Sequence, residues 1–379
     1  MTTALEMRRR SWEVDLVDPG PLPREAAAST DISKIVRLDY GSDETYLSIM
    51  EDALERWRGW NARWGETLFH EDGFLVLTGG PMRPGGFEYE SLALLRKHGH
   101  PAERIDAPLL AERFPAWRAG RYGDGYLNPQ GGWAESGKVV ARLIGETRDA
   151  GVRVHEGEAF SRLHERGSRI VGIETVSGEL LRGDLVLMAT GAWMPTIIPG
   201  LDDLLWAVAQ PVFHFRAPDV DQFRPPAFVP WAADIARSGW YGFPALADGT
   251  LKIANHGPGR RVHPDEPRAT SPDDEGRFRE FLREALPALA DAPVIASRLC
   301  LYCDSWDGNF WIDHHPSLEG LAVAAGDSGH AFKFAPVLGG MIADVLERKP
   351  NRYAQRFAWR SRGTQATEEA RFGGDRRGR

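Results

Sequence analysis

The sequence predicts an α/β fold with α+β inserts: a discontinuous nucleotide-binding lobe interrupted by a largely antiparallel substrate lobe. Three observations lead there. The chain opens on a helix, Met1 to Arg10, and a strand, Trp12 to Val17, that ends on Asp18 before the turn Pro19-Gly20-Pro21. Two nearly unbroken apolar runs, Asp184 to Ala189 and Leu321 to Ala325, have the composition of strands covered on both faces. Between them, from Pro211 to Arg260, short strands alternate with Pro and Gly turns, as in an antiparallel sheet.

The remaining elements follow in order. Helices are expected over Tyr46 to Trp64, Ser91 to His98, Ala107 to Phe114, Gly137 to Ala150 and Glu275 to Leu286, each with apolar residues at three- and four-residue spacing. Phe74 to Leu77 reads as a strand closed by Gly79-Gly80, and Val152 to Val154 as a short strand after Gly151. Ile170 to Thr175 and Leu180 to Ala189 read as a hairpin that feeds a buried strand. The run Leu321 to Ala325 enters Gly326-Asp327-Ser328-Gly329, and a helix is expected from about His330 to Glu347. Ser361 to Arg379, rich in Gly, Arg and Glu, reads as a disordered tail. The lobes then divide as 1–75, 131–205 and 297–360 for the nucleotide and 76–130 and 206–296 for the substrate.

Composition removes several function classes. The 379 residues are 42% hydrophobic and 26% charged, ordinary for a folded protein. Lys+Arg 46 against Asp+Glu 54 gives a net charge of −8, contrary to the dense positive charge of a nucleic-acid binder. No run approaches the ~18 apolar residues that span a bilayer, and the N-terminal residues lack the apolar core of a secretory signal. Two cysteines make no disulfide scaffold, so a cytoplasmic home is expected.

Several residues stand out chemically, each with a plain reading beside the functional one. Asp18 closes a strand where a dinucleotide ribose is held, yet an Asp before Pro-Gly also starts turns. The glycine fingerprint G-x-G-x-x-G that would precede it is absent; its natural place is just upstream of Met1, which predicts a native product longer by roughly 15–25 residues. Gly326 to Phe334 (GDSGHAFKF) is a strand–turn–helix connection whose helix N-terminus suits a developing negative charge. Cys300 and Cys303 form a lone C-x-x-C: a redox dithiol, half a zinc site lacking its second pair even with His314-His315 nearby, or two buried thiols. Lys252 lies in a short apolar strand, Leu251 to Ala254; it either points outward or is a deliberately buried charge with a depressed pKa. Tyr241 and His256 flank it, and Trp240 is a candidate pocket tryptophan. Arg37 and Lys333 are either surface charges or clamps for a carboxylate.

Taken together, these segments resemble the D-amino-acid-oxidase superfamily of flavoproteins, in the branch of monomeric sarcosine oxidase and the fructosyl amino acid oxidases. Five motifs carry the resemblance in order from Met1 to about Arg360: LVDPGPLP with Asp18, STDISKIVRLDYG with Ser33, Lys34 and Arg37, LMATGAW with Gly191 and Trp193, RLCLY with Cys300, and GDSGHAFKF with Gly326, Gly329, His330 and Lys333. The resemblance implies a Rossmann-like FAD-binding lobe and a covalent thioether from Cys300 to the flavin. It implies that Lys252 sits over the flavin and promotes O2 reduction, that His256 and Tyr241 line the substrate side, and that Arg37 and Lys333 hold a substrate carboxylate. The implied reaction is oxidation of a secondary amine, an N-methyl or glycated amino acid: a hydride equivalent passes to the flavin, water hydrolyses the imine, and O2 becomes H2O2. It also implies a monomer. Lys34 stands where sarcosine oxidase has arginine, and DISKIVR with GGWAES (Gly131 to Ser136) leans toward the fructosyl oxidases. A dehydrogenase using another acceptor, or a truncated inactive remnant, are the alternatives. No metal is expected.

Overall fold

The computed structural model describes residues 1–372. Its nucleotide lobe is built on two short parallel pairs. Asp15–Asp18 runs alongside Arg153–Glu156, with Asp18 opposite Glu156. Val186–Met188 runs alongside Leu321–Ala325, which pairs antiparallel with Trp311–His314. Among the described residues no ladder joins the two pairs. Helix Thr2–Arg9 packs on helix Ala335–Leu346, where Gly339 makes room: a Cβ there would stand 2.6 Å from the Thr2 carbonyl.

Helix Glu44–Trp64 covers this lobe. Asp43 caps it by accepting from the Tyr46 N–H at 3.1 Å, and Gly65 ends it at φ 63°. Between the caps Leu47, Met50, Leu54 and Trp57 form a buried stripe at helical spacing. The strand predicted from Trp12 begins at Asp15; Trp12 instead lies against the core with its indole N–H on Glu347 at 3.0 Å.

The second lobe is one nine-stranded sheet, antiparallel except where Trp231–Ala233 runs beside Phe74–Thr78. Its long members are Leu205–Arg216 and Val294–Ser305, paired along nearly their whole length, with Thr250–Asn255 on the other edge of Leu205–Arg216. An aromatic core lies behind it. Trp240 packs against that core, stacked on Phe281 at 4.4 Å and edge-on to Phe278.

Two further expectations are corrected. The last helix begins at Ala335, not His330: residues 326–334 form a glycine turn and a 3-10 turn, and Pro336 stands in the first turn of the helix proper. The tail is not disordered from 361: Ala370 and Arg371 are buried, and residues 366–372 are hydrogen-bonded into the molecule. Residues 373–379 lie outside the described residues. The hairpin after Ile170 is present and gains a third strand, Phe160–Arg166.

Candidate active site

The segment 31–40 runs through the junction of the lobes. Its strand, Lys34–Val36, pairs antiparallel with Gly132–Ala134, so the DISKIVR and GGWAES motifs are neighbours in space. Gly132 is required there: a Cβ would stand 2.0 Å from the His70 carbonyl oxygen.

Asp31 is the first anchor. Its carboxylate lies 2.8 Å from Lys252 Nζ, 3.2 Å from His214 Nε2 and 3.5 Å from Arg298 Nη2. Lys252 Nζ also donates to the Ser33 carbonyl at 2.5 Å and stands 4.6 Å above the Phe243 ring. Strand periodicity explains the placement. Leu251 and Ile253 go to the aromatic core, so Lys252 and Ala254 point to the opposite face, toward segment 31–40. Lys252 is thus the buried charge, not an outward one, at 1% exposure. Burial lowers its pKa to about 8, although Asp31 opposes the shift. Burial alone would raise the Asp31 carboxyl, but Lys252, His214, Lys34 and Arg298 hold it well below the usual carboxylate range.

The same periodicity resolves the cysteines. On Val294–Ser305, Cys300 shares a face with Arg298 and Tyr302, whereas Cys303 joins the nucleotide-lobe core beside Met188 and Trp311. Both are free, and facing opposite ways they form neither dithiol nor metal pair. Lys34 Nζ lies 3.9 Å from Cys300 Sγ. Among the described residues no cluster suited to a metal ion occurs.

The second anchor gathers Arg37, Lys333, His256 and His330. Lys333 Nζ donates to Tyr40 Oη and to the His330 carbonyl, both at 2.9 Å, and the Arg37 guanidinium lies 4.6 Å from the Tyr40 ring centre. Tyr40 Oη is 3.2 Å from His330 Nδ1. His256 Nδ1 is 3.4 Å from Tyr302 Oη, and Tyr241 packs against the cluster that holds Cys300 and Tyr302. Burial, then Arg37, pushes Lys333 well below an ordinary lysine; burial takes His330 down to about 3. Gly329, at φ 78°, lets the Tyr302 ring lie against the backbone, since a Cβ would stand 2.4 Å from it. Gly326, at φ 69°, makes the turn past Asn309.

Sequence reasoning missed four members. Asp31 lies inside the quoted STDISKIVRLDYG, two residues before Ser33, and Tyr302 lies inside the quoted RLCLY. Asp39, fully buried and accepting from Tyr126 Oη at 2.7 Å, gives no local sign of its burial. Glu368 comes from the segment read as a tail: its Oε1 accepts from His256 Nε2 at 2.6 Å and lies 3.5 Å from Arg37 Nη2.

The residues present suit the ring and ribose ends of a flavin dinucleotide. Among the described residues, Ser33 Oγ and Arg37 Nη1 are buried with no partner, Cys300 is an unpaired thiol, and Gly191, at φ 55°, has nothing within 4 Å of where a Cβ would stand. Asp18 ends its strand with one carboxylate oxygen accepting from the Gly20 N–H at 3.0 Å. Trp193 sits between the Arg24 and Arg268 guanidiniums, its N–H on Asp265 at 2.7 Å.

A split α/β lobe that meets a large antiparallel sheet over a buried lysine, a free thiol and paired cations defines a flavin-dependent oxidoreductase. The sequence pattern of the FAD dependent oxidoreductase (DAO) family matches residues 1–345, and the chain belongs to that family. It is 25% identical over 353 residues to a monomeric sarcosine oxidase of Bacillus sp. strain B-0618, covering 91% of this chain and 88% of that one. It is 27% identical over 353 residues to an N-methyl-L-tryptophan oxidase of Salmonella dublin, covering 91% of each. A fructosyl peptide oxidase crystal structure superposes with a TM-score of 0.85 at 21% identity, over 98% of this chain and 94% of that one. The fructosyl amine oxidoreductase Amadoriase I of Aspergillus fumigatus gives 0.81 at 24% identity, over 99% and 91%. No described helix is long and apolar enough to cross a membrane.

Proposed function

We propose that the protein is a monomeric, cytoplasmic FAD-dependent oxidase of small secondary amines, with the flavin tethered through Cys300. The observation that carries the reading is Lys252: an ammonium sealed between Asp31 and the Ser33 carbonyl, on the face of the sheet that also bears Cys300. FAD, when bound, supplies the two-electron acceptor and passes the electrons on to O2, giving H2O2. Asp18, Ser33, Lys34, Gly191, Trp193, Gly326, Gly329, His330 and Lys333 would hold it. Tyr241 and His256 line the substrate side with Arg37 and Lys333. A secondary amine reacts in its neutral form, and neighbouring cations disfavour its protonation. The oxidised product is an imine, which water hydrolyses to an amine and a carbonyl compound. The relatives named for sarcosine and N-methyltryptophan support this substrate class.

The test is a peroxide-coupled screen of N-methyl and glycated amines with flavin-loaded protein. Turnover of a secondary amine with stoichiometric H2O2 is expected. A yellow protein whose flavin no secondary amine reduces under anaerobic conditions overturns the reading.

A further inference from the structure

Glu368 brings a negative charge into the face that the resemblance gives to a substrate carboxylate. Its side chain is 5% exposed. One oxygen, Oε1, serves His256 and Arg37; the other, Oε2, lies 3.8 Å from His330 Nδ1 and has no hydrogen-bond partner among the described residues. Arg37 Nη1 is likewise buried and without a partner among the described residues. The segment bearing Glu368 is fastened on both sides. Upstream, the Ala366 N–H donates to the Trp306 carbonyl at 2.8 Å. Downstream, Glu369 accepts from the Ser42 N–H at 3.1 Å, Arg371 meets Asp304 at 2.7 Å and the Gly257 carbonyl at 2.9 Å, and the Phe372 N–H donates to the His256 carbonyl at 3.1 Å. Gly308 passes close beneath, where a Cβ would stand 2.8 Å from the Glu368 nitrogen. A carboxylate so fixed is part of the wall.

The charges then count differently from the sequence expectation. Arg37 is matched by Glu368, and burial pushes His256 below an ordinary histidine and takes His330 down to about 3. The remaining cation of this face, Lys333, is held on Tyr40 Oη and the His330 carbonyl, and burial pushes it well below an ordinary lysine. A second carboxylate on Arg37 would stand beside the first, and like charges at such distance oppose binding strongly.

We infer that Glu368 is a specificity-determining residue: by engaging Arg37 from within the chain and offering Oε2 as an acceptor, it selects a secondary amine whose far substituent donates a hydrogen bond over one ending in a free carboxylate. This rests on the amine-oxidase reading above and narrows its substrate.

The test uses flavin-loaded wild type, Glu368→Gln and Glu369→Gln. In an equilibrium arm, acetate is titrated and followed by the flavin absorbance. In a kinetic arm, kcat/KM is compared for N-methylglycine and N-methylethanolamine. Glu368→Gln is expected to bind acetate about tenfold more tightly and to raise the N-methylglycine preference by a similar factor. Glu369→Gln, which alters only the fastening to Ser42, is expected to match wild type. Unchanged or weaker acetate binding in Glu368→Gln overturns the inference, as does an equal shift in Glu369→Gln. Should Glu368→Gln fail to fold, Glu368→Asp withdraws the charge by one methylene and is expected to show a smaller gain of the same sign; no gain overturns the inference. The acetate arm needs no turnover, so a failure of the amine-oxidase reading shows separately, as a flavin no amine reduces.

Discussion

A lysine ammonium enclosed beneath two strands loses its proton early. The Lys252 pKa of about 8 lies below the ordinary 10.5, so between these values the unfolded chain binds more protons and stability rises with pH. The chemistry runs the other way. If the ammonium promotes O2 reduction, reoxidation of reduced flavin, followed by stopped-flow absorbance, should slow as pH rises through about 8. Lys252→Met should be slow throughout, by about 10²-fold, and flat across that range; a variant that keeps the wild-type profile refutes the role. The cysteines offer a second test at this scale. Because Cys300 faces the site and Cys303 the opposite core, acid-precipitated Cys300→Ser should release its flavin into the supernatant, whereas Cys303→Ser should keep a yellow pellet. Equal retention by both variants rules out the tether.

Among the elements, the closing segment is the most informative. Arg371 and Asp304 form a buried pair, with the guanidinium 5.3 Å from the Tyr302 ring centre. Arg371→Met leaves Asp304 buried without its cation, at a cost of about 3 kcal/mol. The expected readout is faster limited proteolysis within 361–372 with little change in the main thermal transition; unchanged cleavage would mean that the pair does not hold the segment down. This segment also marks where the sequence stopped being readable. Periodic elements were legible because their signals are local: Glu44–Trp64 carries its own cap, stripe and stop, and Leu321–Ala325 its own apolar run. The motifs carry Arg37, Cys300 and Lys333 in their own local sequence, and the resemblance adds Lys252. Residues 366–372 are polar and glycine-flanked, and what orders them is distant: Trp306, Ser42, Gly257 and Asp304. No window of neighbouring residues contains that information. The displaced start of Ala335–Leu346 has a similar cause, since Lys333 turns inward to Tyr40 instead of opening the helix.

At the scale of the molecule, among the described residues the two parallel pairs of the nucleotide lobe share no ladder, so contacts other than strand hydrogen bonds connect them, and a bound cofactor would add to these. A ligand that binds only the folded state stabilises by RT ln(1 + [L]/Kd), about 2.7 kcal/mol at a hundredfold excess over Kd. In Cys300→Ser, whose flavin is removable, FAD should raise Tm and slow amide exchange in Asp15–Asp18 and Val186–Met188 more than in Phe74–Thr78, read by exchange mass spectrometry. Uniform protection would deny the flavin that connecting part.

The long ribbon made by Leu205–Arg216 and Val294–Ser305 has one more consequence. One end, with Leu205 and Cys303, is embedded in the nucleotide-lobe core, and the other, with Phe213, Phe215 and Val294, in the aromatic core of the far lobe. A doubled beam rooted in both halves cannot fold like a hinge. Traffic into the interior must therefore be admitted by shifts of surface loops around a stiff chassis, and opening the molecule like a clamshell would require tearing the beam's own rungs.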